Sequence, residues 1–207
     1  MKYFKSILVL TIIALLSGLF IGLAHSLISN ESLMPGIEAL NALCPDAADY
    51  KPVPDITSYD ATGSVKGVYI PLGSDGKALS DSFIFWTSGN GGYGGEVSML
   101  ILVTDERIID IAVYEHKETP GKGTPAFEDS YISQFLGSDI YEFFAFPIGK
   151  GSWLKDVPAG VSDGNKIDAI TGATRSSRAV LNNINAAVRC YAVNKNILQI
   201  TLNSVKD

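Results

Sequence analysis

Thr174 closes a run of small residues, Asp168-Ala-Ile-Thr171-Gly172-Ala173-Thr174, and Arg175-Ser176-Ser177-Arg178 follow at once. A hydroxyl held at such a turn can carry a phosphate-linked group, and the diester so formed would hold one negative charge. Gly172 and Ala173 lack bulk, which lets the backbone approach that charge closely. The apolar spacing that begins near Ser176 predicts a helix. Its first N–H groups and partial positive charge would face the same anion, and Arg175 and Arg178 add cationic character. Asp168 either helps a modifying enzyme hold Mg²⁺ during transfer or stabilises the turn. The same residue types also suit a plain strand–turn–helix connection in which Ser and Thr serve as caps. From these residues alone, both readings stand.

Other constellations are weaker. Gly89-Asn-Gly91-Gly-Tyr-Gly94 matches G-x-G-x-x-G and follows a strand-like run. A dinucleotide site requires a helix to open after the glycines, whereas Gly95-Glu96 leads into the β-like run Val97 to Val103. The stretch is therefore read as a glycine turn between strands. His25 and His116 are too few for a histidine metal site, and no Ser-His-Asp arrangement is legible. Glu115 and Glu118 can be read as an acid/base pair. Glu118 fits better as a loop hydrogen-bond partner or ligand contact. Trp86, Tyr93 and Trp153 can stack on a ring, although core packing is the commoner role of aromatics.

The elements that must position these residues follow from periodicity. Gly67 to Leu72, Ser82 to Trp86, Val97 to Val103 and Arg107 to Tyr114 read as strands, with a hairpin at Thr104-Asp105-Glu106. Met34 to Leu43 reads as a short helix, Asp46 to Pro54 as a linker, and Thr119 to Pro125 as a loop. Phe127, Tyr131 and Phe135 lie four apart and predict a helix over Ala126 to Leu136. Val180, Leu181, Ile184, Ala187, Val188 and Tyr191 form one face of the last helix, which Ser176 or Ser177 can cap. Strands and helices without strict alternation indicate an α+β domain.

Ser6 to Asn30 carries no charged side chain other than a possible His25 cation. At about 1.5 Å per residue it is long enough for a hydrocarbon core of roughly 30 Å. Lys2 and Lys5 before it place the N-terminus in the cytoplasm and the rest outside. The length of the run and the lack of a clean cleavage site favour an uncleaved anchor over a signal peptide. The expected organisation is 1–30 cytoplasmic N-terminus and transmembrane anchor, 31–65 linker and short helix, and 66–207 the mixed α+β domain. The 207 residues carry a net charge of −6 and no basic stripe, which argues against nucleic-acid binding. Cys44 and Cys190 form no metal spacing. They read as idle thiols, with a disulfide open if the compartment is oxidising.

Asp-x-x-Thr-Gly-Ala-Thr, here Asp168 to Thr174, resembles the acceptor signature for covalent FMN attachment by a flavin transferase. Asp168 to Val180 is similar to the G subunit of the Rnf ion-translocating electron-transport complexes, and the C subunit of the sodium-pumping NADH:quinone reductase shares the motif. His116-Lys-Glu-Thr-Pro-Gly-Lys-Gly123 resembles the family's His-Lys-Glu-Thr-Pro-Gly-Leu-Gly, and Gly92-Tyr-Gly-Gly95 before a strand is a third match. The chain thus resembles the FMN-binding domain family over nearly its whole length, and its length fits the Rnf subunit better than the quinone reductase one.

The resemblance implies one FMN per chain, phosphoester-bonded to Thr174. Thr171, Gly172, Ala173, Ser176, Ser177, Glu118, Thr119, Lys122 and Gly123 would surround it, and the transferase would read Asp168. It implies an electron carrier with no catalytic side chain and no metal of its own. The carrier would sit in the bacterial cell membrane among the other subunits of a complex that couples electron flow between ferredoxin and NAD to Na⁺ or H⁺ movement. Ferredoxin and NAD would meet other subunits. The alternatives are the quinone reductase subunit, a stand-alone anchored FMN electron-transfer protein, and an interaction domain without flavin. Lys122 stands where the family usually has leucine. An ammonium beside the flavin ring would favour its anionic reduced form.

Overall fold

Val97-Ser-Met-Leu-Ile-Leu-Val-Thr is an almost unbroken apolar run, as a strand covered on both faces requires. The computed structural model of the chain describes residues 7, 9–20, 34–56, 64–89, 91–145 and 162–206. In it this run is the β4 strand, Val97–Thr104. It belongs to a five-stranded antiparallel sheet in the order β1-β2-β3-β4-β5, whose other members are β1 Asp49–Pro52, β2 Val65–Leu72, β3 Ser82–Gly89 and β5 Arg107–His116. Side chains alternate between faces. Val97, Met99, Ile101 and Val103 join Phe83, Phe85, Val68 and Ile70 in the larger core. Leu100 and Leu102 join Ile84 and Tyr69 in a smaller core on the other face.

Each face is closed by a helix. The short α1, Ile37–Leu43, buries Leu40 and Leu43 in the smaller core. Tyr50 of β1 donates its hydroxyl to Asn41 Oδ1 at 2.8 Å. A 3-10 turn, Thr124–Phe127, and the one-turn helix α2, Asp129–Ile132, follow β5. The long α3, Thr174–Asn203, covers the larger core. Val180, Leu181, Ile184, Ala187, Val188 and Tyr191 are all buried on it, as their spacing predicts. Burying one such side chain contributes about 1.5–3 kcal/mol. The strands β6, Glu142–Ala145, and β7, Ser162–Lys166, pair in parallel as a separate sheet. The Asn185 side chain of α3 accepts the Phe144 N–H and donates to its carbonyl, both at 2.9 Å.

Two sequence expectations change. The stretch expected as a linker, Asp46 to Pro54, contains β1. Prolines and turn residues hide this strand, and Pro52 is tolerated because β1 lies at the sheet edge. The helix expected over Ala126 to Leu136 is broken at Glu128, whose φ of −81° and ψ of 155° are extended. Tyr131 and Phe135 are still buried as expected. Cys44 and Cys190 form no disulfide, in keeping with their reading as idle thiols.

Residues 1–34 and 35–207 are two separate units. In the first, residues 9–20 are helical, and Thr11 Oγ1 donates to the Ile7 carbonyl at 2.9 Å. Among the described residues no helix is long and apolar enough to cross a membrane. The remainder of the expected span, residues 6, 8 and 21–30, lies outside them.

The hairpin expected at 104–106 is a two-residue turn between the paired Thr104 and Arg107. Asp105 and Glu106 have φ of 49° and 63°. Two left-handed non-glycine residues cost about 1 kcal/mol or more each. Contacts at Glu106 offset this cost. Its carbonyl accepts the Ile140 N–H at 2.8 Å. Its carboxylate accepts the Tyr141 hydroxyl at 2.9 Å and Lys195 Nζ at 3.1 Å. The Tyr141 hydrogen bond, and then Lys195, hold the carboxyl below its ordinary range. A depressed folded-state value stabilises the fold above the unfolded pKa of about 4.3 and is lost as pH falls through the folded value. Thermal melts should therefore show wild type above Glu106→Gln at pH 7, with the gap closing below about pH 4.

Candidate functional site

Thr174 is the first residue of α3 and is exposed. The expected start near Ser176 is two residues late, and neither serine caps the helix. The N-cap is Ala173, which offers no side-chain hydrogen bond. The turn before it is clamped from behind. Gln134 Oε1 accepts the Asp168 N–H at 2.9 Å and its Nε2 donates to the Asp168 carbonyl at 3.3 Å. The Ala173 N–H bonds to the Ile170 carbonyl at 3.0 Å. Ser177 is buried and accepts the Ile170 N–H through Oγ at 3.1 Å. The Tyr131 hydroxyl donates to the Ser177 carbonyl at 2.8 Å. Gly172 makes the turn with a φ of +84°.

The charge at this helix end is unusual. A helix N-terminus carries partial positive charge and normally attracts acids. The first turn here contains no acidic residue and instead carries Arg175, with Arg178 following. Without a capping side chain, its leading N–H groups are left to water or to an anion.

Glu118 stands behind this helix end and is only 5% exposed. Its Oε1 accepts the Gly94 N–H at 3.0 Å and its Oε2 accepts the Ser176 hydroxyl at 2.8 Å. Glycines make room for it and for its loop. A Cβ at Gly92 or Gly123 would overlap the carboxylate itself, and one at Gly94 would overlap the Lys117 carbonyl. The Glu118 N–H bonds to His116 Nδ1 at 3.2 Å, and the imidazole packs at a tilt against Phe127 with centroids 4.6 Å apart.

In front lies a cleft of about 370 Å³, walled by Tyr93, Lys122, Gly123 and the stretch from Gly172 to Ser176. The two segments singled out in the sequence, around Glu118 and around Thr174, therefore meet in one place. Lys122 is exposed yet lines the cleft. Its N–H and that of Gly123 both bond to the Thr119 carbonyl, at 3.1 and 3.0 Å. Glu118, Thr119, Thr171 and Ser177 belong to the flanking structure rather than to the cleft wall. Asp168 is exposed.

The Gly89 to Gly94 stretch joins antiparallel β3 and β4, as the sequence requires of a turn that opens no helix. Trp86 packs with the smaller core and donates its indole N–H to Ser98 Oγ at 2.8 Å. Trp153 lies outside the described residues. Tyr93 is 70% exposed, against the expectation of core packing. The flanking glycines were the available signal. Nothing in the sequence pointed to Gln134.

Residues 92–189 match the model of the FMN-binding domain. The chain is 36% identical over 98 residues to the G subunit of the proton-translocating ferredoxin:NAD(+) oxidoreductase complex of Clostridium ljungdahlii. That match covers 47% of this chain and 46% of that protein, so it spans about half the length of that relative. The chain is 26% identical over 201 residues to the G subunit of the Na(+)-translocating ferredoxin:NAD(+) oxidoreductase complex of Acetobacterium woodii, covering 91% of both. Among solved structures, NqrC of Shewanella oneidensis is similar at 23% identity with a TM-score of 0.45, over 75% of this chain and 73% of that one.

Glu118→Ala should leave the Gly94 N–H and the Ser176 hydroxyl without an acceptor, destabilising the domain by about 2–4 kcal/mol. Glu118→Gln can keep both contacts, because its amide can donate to Ser176 Oγ, and should cost less than about 1 kcal/mol. Paired thermal melts check the contrast.

Proposed function

We propose, from the match of residues 92–189 to the FMN-binding domain model, that the chain is the anchored flavoprotein subunit of an Rnf-type ion-translocating ferredoxin:NAD oxidoreductase. FMN is held as a phosphoester on Thr174. The observation that carries this reading is the helix end at Thr174: an exposed hydroxyl, no capping side chain, no acid in the first turn, and Arg175 in the wall of a cleft. Alignment with the Acetobacterium woodii relative along 91% of both chains supports the choice of complex.

The residues present fit the group. Thr174 Oγ1 is the tether. The leading N–H groups of α3, with Arg175, offset the single charge of the phosphodiester, and Gly172 and Ala173 allow close approach. Lys122 places an ammonium in the same cleft. Bound FMN supplies one-electron transfer chemistry, while the protein supplies position and electrostatics. Asp168, exposed beside the turn, is the feature that a flavin transferase reads. In this reading residues 1–30 anchor the chain in the cell membrane with the N-terminus cytoplasmic. Residues 31–65 connect, and 66–207 hold the flavin on the outer side. The other subunits of the complex handle ferredoxin and NAD.

Co-expression with a flavin transferase followed by a denaturing gel tests the tether. Wild type should show a fluorescent band, Thr174→Ala should not, and Thr174→Ser should retain it. A dark wild-type band would sink covalent attachment. Identification of the partners that co-purify from native membranes tests the complex. Lys122→Leu should lower the flavin midpoint potential by tens of millivolts, since a tenfold loss of preference for the reduced anion is about 59 mV per electron. A redox titration reads this directly.

A further inference from the structure

We infer that Tyr93 is the aromatic wall on which the flavin ring stacks, an assignment that rests on the FMN reading above. Tyr93 is 70% exposed and belongs to neither core cluster, yet its backbone is held firmly. The N–H of its neighbour Gly94 bonds to buried Glu118 at 3.0 Å. The Gly92 N–H bonds to the Gly95 carbonyl at 3.1 Å. At Gly94 the backbone lies so close to the Lys117 carbonyl that no side chain fits. A large ring is thus presented to solvent from a fixed support. It lines the same cleft as Thr174, and the Arg175 guanidinium lies over it, 6.0 Å from its centroid.

The chemistry of the ligand requires such a surface. A tether at Thr174 fixes only the phosphate end of FMN. A second contact must restrict the isoalloxazine, a flat π-system for which an offset aromatic face is a natural partner. Lys122 shares the cleft but offers a point charge, and the stretch from Gly172 to Ser176 offers small or polar groups. Tyr93 is the one aromatic side chain among the described residues of the cleft wall. Glu118 binds both Gly94 and Ser176, so the ring and the tether are held in a fixed relation by one carboxylate.

A phenol in contact with an excited flavin quenches its emission by giving up an electron that returns to it in the dark. The test compares emission per bound flavin in the flavinylated full-length chain, folded and denatured, for wild type, Tyr93→Phe and Tyr93→Leu. Wild type should be quenched several-fold on folding. Both variants should recover emission several-fold in the folded state, because neither side chain is an effective electron donor. The melting temperature should not move, as an exposed ring contributes little to the core. Should the leucine variant melt lower, the phenylalanine variant decides. Equal emission per flavin in wild type and variants overturns the assignment while a fluorescent band on a denaturing gel leaves the FMN reading standing. Absence of that band in wild type overturns both.

Discussion

The Glu118 carboxylate accepts the Gly94 N–H with one oxygen and the Ser176 hydroxyl with the other. It thereby joins the β3–β4 turn, its own loop and the first turn of α3, which the sheet alone would leave independent. A carboxylate taken out of water is tolerated only when its oxygens are satisfied in good geometry. The arrangement is therefore sensitive to small displacements. The glycines at 94 and 123 are part of the same requirement, since any side chain there would occupy the space that Glu118 and the Lys117 carbonyl need.

The frame that makes this possible is generic. A strand buried on both faces, β4, divides the domain into two unequal cores. The larger core takes in the buried face of the thirty-residue α3. Asn183 of that helix donates to the β4 Val97 carbonyl at 3.1 Å, so the helix is fixed to the sheet by a polar contact as well as by apolar packing. What distinguishes the helix is its leading end, where arginine replaces the acidic residue that the helix dipole would favour.

Much of the framework could be read from the sequence because it depends on periodicity. The apolar runs of β2 to β5 and the helical spacing of Val180 to Tyr191 are direct signatures of burial. Thr174 was legible as a turn next to a helix. Its missing cap was not, because Ser176 and Ser177 are good capping residues whose hydroxyls are used elsewhere. β6 and β7 carry no alternating pattern, and β6 is recognised instead by the amide of Asn185, a long-range contact that no local pattern encodes. The break at Glu128 lies within a convincing helical spacing, because the aromatics at 131 and 135 remain buried although the helix before them stops. The role of Glu118 depends on backbone groups 24 residues away and was visible only as one of two alternatives.

Cys190, on α3, lies in the larger core, while Cys44 packs beside the smaller core on the other face of the sheet. Bridging them would require disulfide geometry across a layer of strands, far beyond the reach of two Cβ atoms. The domain therefore contains no internal dithiol couple that could exchange electrons two at a time with a group bound in the cleft. Its fold also owes nothing to a disulfide.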